Sequence, residues 1–226
     1  MKIAVGRLAG LACLALPVVA HASGSGFYVG ADVAIVEPTV GVSDGLTIQL
    51  PGSFPVHVDP VSMTAGESEA GWGFMFGFRF NRYLGGEVAY ADFGAIDILE
   101  IYDLADAFPV PVEPPVAFNH TAFHVRGPVL SLLGVLPISD GFQAFARAGM
   151  LFATQEINLT SGPGVFRGPR LDYARDLWVV GLGIDCEIVP RWTGRFEYQA
   201  VERIPANEIT GSVRLDRYSF GVTYAF

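Results

Sequence analysis

Charged residues set at every second position are the part of this sequence best suited to chemistry. Asp32, Arg79, Glu87, Arg147, Asp185, Glu187, Arg195, Glu197 and Arg217 each stand in a run whose neighbouring positions are mostly apolar, and Arg126 and Arg203 extend the set. Five acids thus meet four to six arginines. A guanidinium fork matches a carboxylate bidentately. Gathered on one face, these residues predict a near-neutral ion-paired network. That balance is not inherited from composition, since the chain holds 23 acids against 14 basic residues and carries a net charge of −9. The alternative use of the same charges is a gated path for ions.

Other chemistries find little support. Past residue 22 the histidines are His57, His120 and His124. Nucleophilic catalysis on a lipid needs a hydroxyl and a carboxylate placed with a histidine. Thr121 and Ala122 follow His120, and Val125 and Arg126 follow His124, so no serine stands two positions after either. No enzymatic activity is expected. Cys186 shares the apolar, lipid-facing side with Ile184 and Ile188 and reads as a small apolar filler. There is no phosphate-binding loop, zinc-ligand spacing or EF-hand, so neither cofactor nor metal is expected.

Strands are the elements that must position these charges. In Trp72-Gly73-Phe74-Met75-Phe76-Gly77-Phe78-Arg79-Phe80 every even position is aromatic. A helix would scatter those rings, whereas a strand puts them on one face. The pattern recurs from Trp178 to Ile188, from Tyr218 to Phe226 and from Phe27 to Ile35. One face is strongly apolar, and the other holds glycine and charge. A soluble sandwich would not make its wet face so rich in glycine. A narrow barrel in lipid needs small and polar residues inside. No run past residue 22 is long enough for a spanning helix, although half the residues are hydrophobic.

The N-terminus reads as an export signal. Lys2 and Arg7 precede the apolar run Leu8–Ala20, and Ala20-His21-Ala22 suits a signal peptidase, so cleavage is expected after Ala22. Gly10-Leu11-Ala12 is a poor match to a lipoprotein site at Cys13. The remaining residues, 23–226, carry twelve arginines against 23 acids, and this net charge of about −11 argues against nucleic acid as a partner. Eight strands are expected, at about 27–36, 72–80, 84–93, 121–136, 142–156, 176–189, 193–203 and 214–226. Tight turns at Asn81-Arg82-Tyr83, Pro137–Gly141 and Pro190-Arg191-Trp192 alternate with long loops at 37–71, 94–120, 157–175 and 204–213. That alternation is the outer-membrane topology. Trp72 and Trp178 near the loops, and Tyr83 and Trp192 near the turns, suit aromatic girdles at the two membrane surfaces.

Three stretches resemble the OmpA-like and OmpX-like eight-stranded outer-membrane barrels. They are Gly77–Leu84 running into Glu87–Gly94, Gly181–Asp185 running through Trp192 into Arg195–Gln199, and Ser219–Phe226. The resemblance implies an all-β, up-and-down antiparallel transmembrane barrel in the outer membrane. It also implies that the last octet, with Ser219, Gly221, Tyr224 and Phe226, is read by the barrel assembly machinery. The soluble peptidoglycan-binding domain of OmpA itself is not carried over. A structural or surface-interaction role is expected, with a narrow channel as the alternative. Membrane lipid and lipopolysaccharide are the expected surroundings. The segments 37–71 and 94–120 hold acids and no Lys or Arg. They are the expected place for an extracellular ligand, or for divalent cations near lipopolysaccharide phosphates. Phe108–Pro115 reads as a stiff polyproline-like run, and 97–108 as a short amphipathic helix.

Overall fold

The computed structural model describes residues 26–41, 46–48, 56–103, 116–162, 166–167, 171–204 and 212–226. Every regular element among them is a strand. These are β1 (Gly26–Val40), β2 (Leu46–Ile48), β3 (Val56–Val58), β4 (Pro60–Ala65), β5 (Glu69–Asn81) and β6 (Leu84–Asp103). They continue as β7 (Val116–Ser139), β8 (Phe142–Gly162), β9 (Phe166–Arg167), β10 (Leu171–Val189), β11 (Trp192–Ile204) and β12 (Val213–Ala225). Eight of them close an antiparallel ring in the order β1, β5, β6, β7, β8, β10, β11, β12. The ring shuts where β12 pairs along β1, from Val213 opposite Val40 to Ala225 opposite Tyr28. The expected signal peptide, 1–22, lies outside the described residues.

The three tight turns fall where proline, glycine and asparagine placed them. Asn81 Oδ1 accepts the N–H groups of Tyr83 and Leu84 at 2.7 and 2.9 Å and folds β5 onto β6. Gly141, at φ 76°, turns β7 into β8. Arg191 takes φ 75° between β10 and β11, unusual for a residue with a side chain.

The long connections are shorter than expected, because strands invade them. Four ring strands, β6, β7, β8 and β10, run 20, 24, 21 and 19 residues. Crossing the hydrocarbon takes about 9–11 tilted residues. These four therefore rise well past the membrane as a tall wall, while β5, β11 and β12, with 13 residues each, stop near it. Segment 94–120 is largely the end of β6 and the start of β7, and segment 157–175 contains the ends of β8 and β10. Segment 37–71 contains the end of β1, the whole of β2, β3 and β4, and the start of β5. The helix expected over 97–108 does not form: residues 97–103 continue β6, and the remainder lies outside the described residues, as does the proline-rich run.

The extensions escaped the sequence reading because the facing of apolar residues inverts there. Within the membrane band the outward side chains are apolar, with Phe74, Leu132, Leu182 and Phe220 each about 60% exposed. Above the band the outward side chains on β7 and β8 are mostly polar, among them His120, His124, Arg126, Thr154, Glu156 and Asn158. The inward ones become apolar: Ile96, Ile98, Val125, Leu151, Val179 and Leu215 are at most 3% exposed and form one cluster. The lumen is thus polar at membrane depth and mainly apolar above it, with Gln155, Thr121 and Glu100 buried among the apolar side chains. On β6 a bulge at Asp92–Ala95 makes the change, with Gly94 at φ 77°. Beyond it β4 replaces β5 as the neighbour of β6, and Gly66 N donates to Asp97 O at 2.7 Å.

Candidate functional site

The lumen at membrane depth is built from inward positions of all eight ring strands. Glu87 on β6 lies at its centre. Its Oε1 accepts from the Tyr28 hydroxyl at 2.6 Å and from Arg195 Nη1 at 2.5 Å, and its Oε2 accepts from Arg147 Nη2. Arg195 grips Asp185 with Nε and Nη2, at 2.7 and 3.1 Å. Asp185 Oδ2 also accepts from Gln143 at 2.9 Å and from Arg79 at 3.3 Å. Arg147 Nη2 donates to Glu197 Oε2 at 3.1 Å, while its Nε stands 2.6 Å from Oε1 as a close charge contact rather than an aligned hydrogen bond. The result is an unbroken chain, Arg79–Asp185–Arg195–Glu87–Arg147–Glu197, of three cations and three anions.

Separate from that chain, Arg217 on β12 binds Asp32 on β1. Its guanidinium lies 5.8 Å from the centre of the Phe93 ring, at the floor of the apolar core. Arg195 likewise stacks 4.5 Å from the Phe145 ring. Among the inward glycines, two make room for these rings. A Cβ on Gly77 would fall 2.1 Å from Tyr28 Cζ, and one on Gly183 would fall 2.4 Å from Phe145 Cζ. Among the described residues, a void of about 10 Å³ lies beside Arg147 and Arg217, enough for roughly one water molecule.

Eight of the expected lumen residues therefore meet: Asp32, Arg79, Glu87, Arg147, Asp185, Arg195, Glu197 and Arg217. Three do not. Glu187 is exposed at the turn-side mouth, where it lines an open pouch of about 210 Å³ with Gln143, Asp185 and Thr193. Arg126 points outward, because odd positions of β7 face the lumen, and its Nη2 donates to Glu156 Oε1 at 2.7 Å. Arg203 is exposed beyond the bulge of β11, with Nη1 3.4 Å from Ser212 Oγ. Tyr28, Gln143, Gln199 and Ser131 belong to the lumen and were not singled out by sequence, since uncharged polar residues alternate no differently from the glycines beside them.

The girdle residues lie at two levels. Trp72 stacks on Tyr90 at 5.9 Å, and Trp178 is exposed on the same loop-side level. Trp192 contacts Tyr224 at 5.0 Å and Tyr224 contacts Phe226 at 5.4 Å on the turn side, where Arg82 lies over Tyr83. In the last strand Ser219 and Gly221 face inward and Phe226 outward. Among the histidines, His124 Nε2 lies 2.7 Å from Asp92 Oδ1 and His120 Nε2 lies 3.4 Å from Asp97 Oδ1, both on the outer surface of the wall. No cluster of three or more metal-ligating side chains occurs among the described residues.

A closed ring of eight antiparallel strands, apolar outside and ion-paired inside, is the architecture of an outer-membrane barrel. The family model of the OmpA-like transmembrane domain matches residues 27–226. The chain belongs to that family. This OmpA-like barrel is also similar in fold to Neisserial surface protein A, with 15% identity over 90% of this chain and 100% of that one, at a TM-score of 0.51. Two further barrels match more loosely. The outer membrane protein OprG from Pseudomonas aeruginosa has 17% identity over 90% and 96% of the chains and a TM-score of 0.45. The attachment invasion locus protein Ail of Yersinia pestis has 11% identity over 90% and 99% and a TM-score of 0.45. No curated protein matches. The OmpA-like barrel resides in the cell outer membrane.

Proposed function

We propose that this barrel is a closed, non-enzymatic structural and surface-interaction protein, holding a tall β-wall outside the membrane. The observation that carries the reading is the two-storey filling of the lumen. Buried ion pairs occupy membrane depth, and an apolar core lies above them. A hydrated ion would have to break charge-assisted bonds and then cross packing in which buried apolar side chains outnumber the polar Glu100, Thr121 and Gln155. The non-enzymatic half rests on the outer-surface His124–Asp92 pair. The residue opposite His124 on β8 is Glu156, and the nearest outward hydroxyl of that strand, Thr154, stands opposite Arg126 instead.

The test is single-channel recording of the refolded barrel in planar bilayers. No conductance steps are expected beyond those of protein-free membranes. Reproducible steps that change when Arg147 or Glu87 is substituted would replace this reading with a channel. Mass spectrometry of lipid A from cells with and without the protein is expected to show identical acylation, and an altered pattern would make it an enzyme. The role outside the membrane falls to the extensions, where Asp97, Asp103 and Glu37 face solvent.

A further inference from the structure

Among the described residues the buried acids are Glu87, Asp92, Glu100, Asp185 and Glu197. Arginines partner Glu87, Asp185 and Glu197, and His124 partners Asp92. Glu100 differs. It lies on the inner face of β6 in the projecting wall, 1% exposed, and no salt bridge reaches it among the described residues. Its Oε2 accepts from the Tyr102 hydroxyl at 2.9 Å and from Asn119 Nδ2 at 3.2 Å. Its Oε1 is buried with no hydrogen-bond partner.

The neighbours of Glu100 supply oxygen rather than positive charge. Glu100 stands opposite Asn119 and Ile98 opposite Thr121, so Thr121 is the diagonal inward neighbour of Glu100 on β7. Thr121 is also 1% exposed, and its Oγ1 likewise has no partner. The strand segments around them, 60–65 of β4, 95–103 of β6 and 116–125 of β7, contain no Lys or Arg. A carboxylate taken out of water is costly unless it is paired or coordinates a cation. Every other buried acid here meets that condition through a side chain, and Glu100 does not.

We infer that Glu100 and Thr121 bind one hard divalent cation of calcium's class inside the projecting wall. Such cations take carboxylate and neutral oxygens together. Glu100 Oε1 supplies the charge and Thr121 Oγ1 a neutral ligand, and the ion ties β6 to β7 above the membrane. No three acids, thiols or imidazoles converge there, so the site has a single charged ligand. That places it at the weak end of the range for calcium, with a Kd of about 1 mM. The burial of Glu100 favours a bare ion over the ammonium or guanidinium of a partner protein, which would need a wide approach. The inference is independent of whether the lumen conducts.

The test compares the wild-type barrel, Glu100→Gln, Thr121→Val and Asp97→Asn, the last an outward acid of the same strand. Each is refolded in detergent and checked by heat-modifiability on a gel. Hydrogen exchange is then followed in calcium chloride and in sodium chloride of the same ionic strength. At ten times Kd, calcium is expected to slow exchange of residues 96–103 and 116–121 roughly tenfold in wild type and in Asp97→Asn. Glu100→Gln should show no calcium response, and Thr121→Val should need several-fold more calcium for the same response. No calcium effect in wild type would overturn the site. So would a response of Glu100→Gln equal to wild type, or its loss in Asp97→Asn, because the ion would then sit on the exposed acids. If Glu100→Gln does not fold, Thr121→Val decides, and an unchanged calcium midpoint in that variant overturns the proposal.

Discussion

Arg195 on β11 and Glu87 on β6 stand diametrically opposite in the eight-strand ring, yet Arg195 Nη1 lies 2.5 Å from Glu87 Oε1. The two walls are therefore tied across the lumen, not merely along their hydrogen-bond ladders. Glu87 also binds Arg147 and Tyr28, so one carboxylate holds three walls together.

Replacing Glu87 is expected to be among the most damaging single changes in the membrane half. Glu87→Ala leaves Arg147 and Arg195, both nearly without solvent access, each short of a partner. Breaking a buried pair from one side costs about 3–5 kcal/mol. The urea midpoint of the reconstituted barrel, read by heat-modifiability, should fall accordingly. An unchanged midpoint would show that the network fills the lumen without holding it.

Arg126→Ala provides the contrast. Its pair with Glu156 is on the outer surface and half exposed, and such pairs contribute about 0–1 kcal/mol. Its unfolding midpoint should move little. A loss as large as that of Glu87→Ala would place the pair in the structural network.

Gly77→Val should clash with the Tyr28 ring and so disturb the bond from its hydroxyl to Glu87. Overpacking of this kind costs about 1–3 kcal/mol. The double variant Gly77→Val with Tyr28→Ala should lose less than the sum of the two single losses, since the clash disappears with the ring. Strict additivity in a double-mutant cycle would separate the two sites.

Gly94→Ala tests the bulge that turns β6 from membrane wall to projecting wall. At φ 77° a side chain costs about 1–2 kcal/mol, and the added Cβ would approach Ala70 O to 2.9 Å. Hydrogen exchange should quicken in Ile96–Asp103 and in β4, with the membrane half unaffected. Uniform loss of protection throughout the ring would show instead that the bulge is required for barrel closure.

Phe226 is 56% exposed, at the end of the last strand. Phe226→Ala should leave the stability of purified, refolded barrel within about 0.5 kcal/mol, as surface changes do. In cells it should lower the folded fraction in the outer membrane, if the terminal octet is what the assembly machinery reads. Normal accumulation in cells would remove that role.

Alternation by itself determined the eight membrane crossings, their turns and eight of the eleven charges expected on their inner faces. Lipid on one side and a narrow lumen on the other impose a two-residue period that survives without any tertiary information, as Phe74–Phe80 and Trp178–Ile188 show. Three matters were decided only by the closed structure. Which carboxylate meets which guanidinium depends on strands far apart in sequence, 108 residues for Glu87 and Arg195. Arg126 has the same spacing as the lumen arginines but sits on β7, where odd positions face inward, and only the ring fixes that sense. The height of the wall also stayed hidden. Above the membrane the apolar side chains turn inward and the polar ones outward, so the period continues while the outward apolar signal that marks a membrane strand ends.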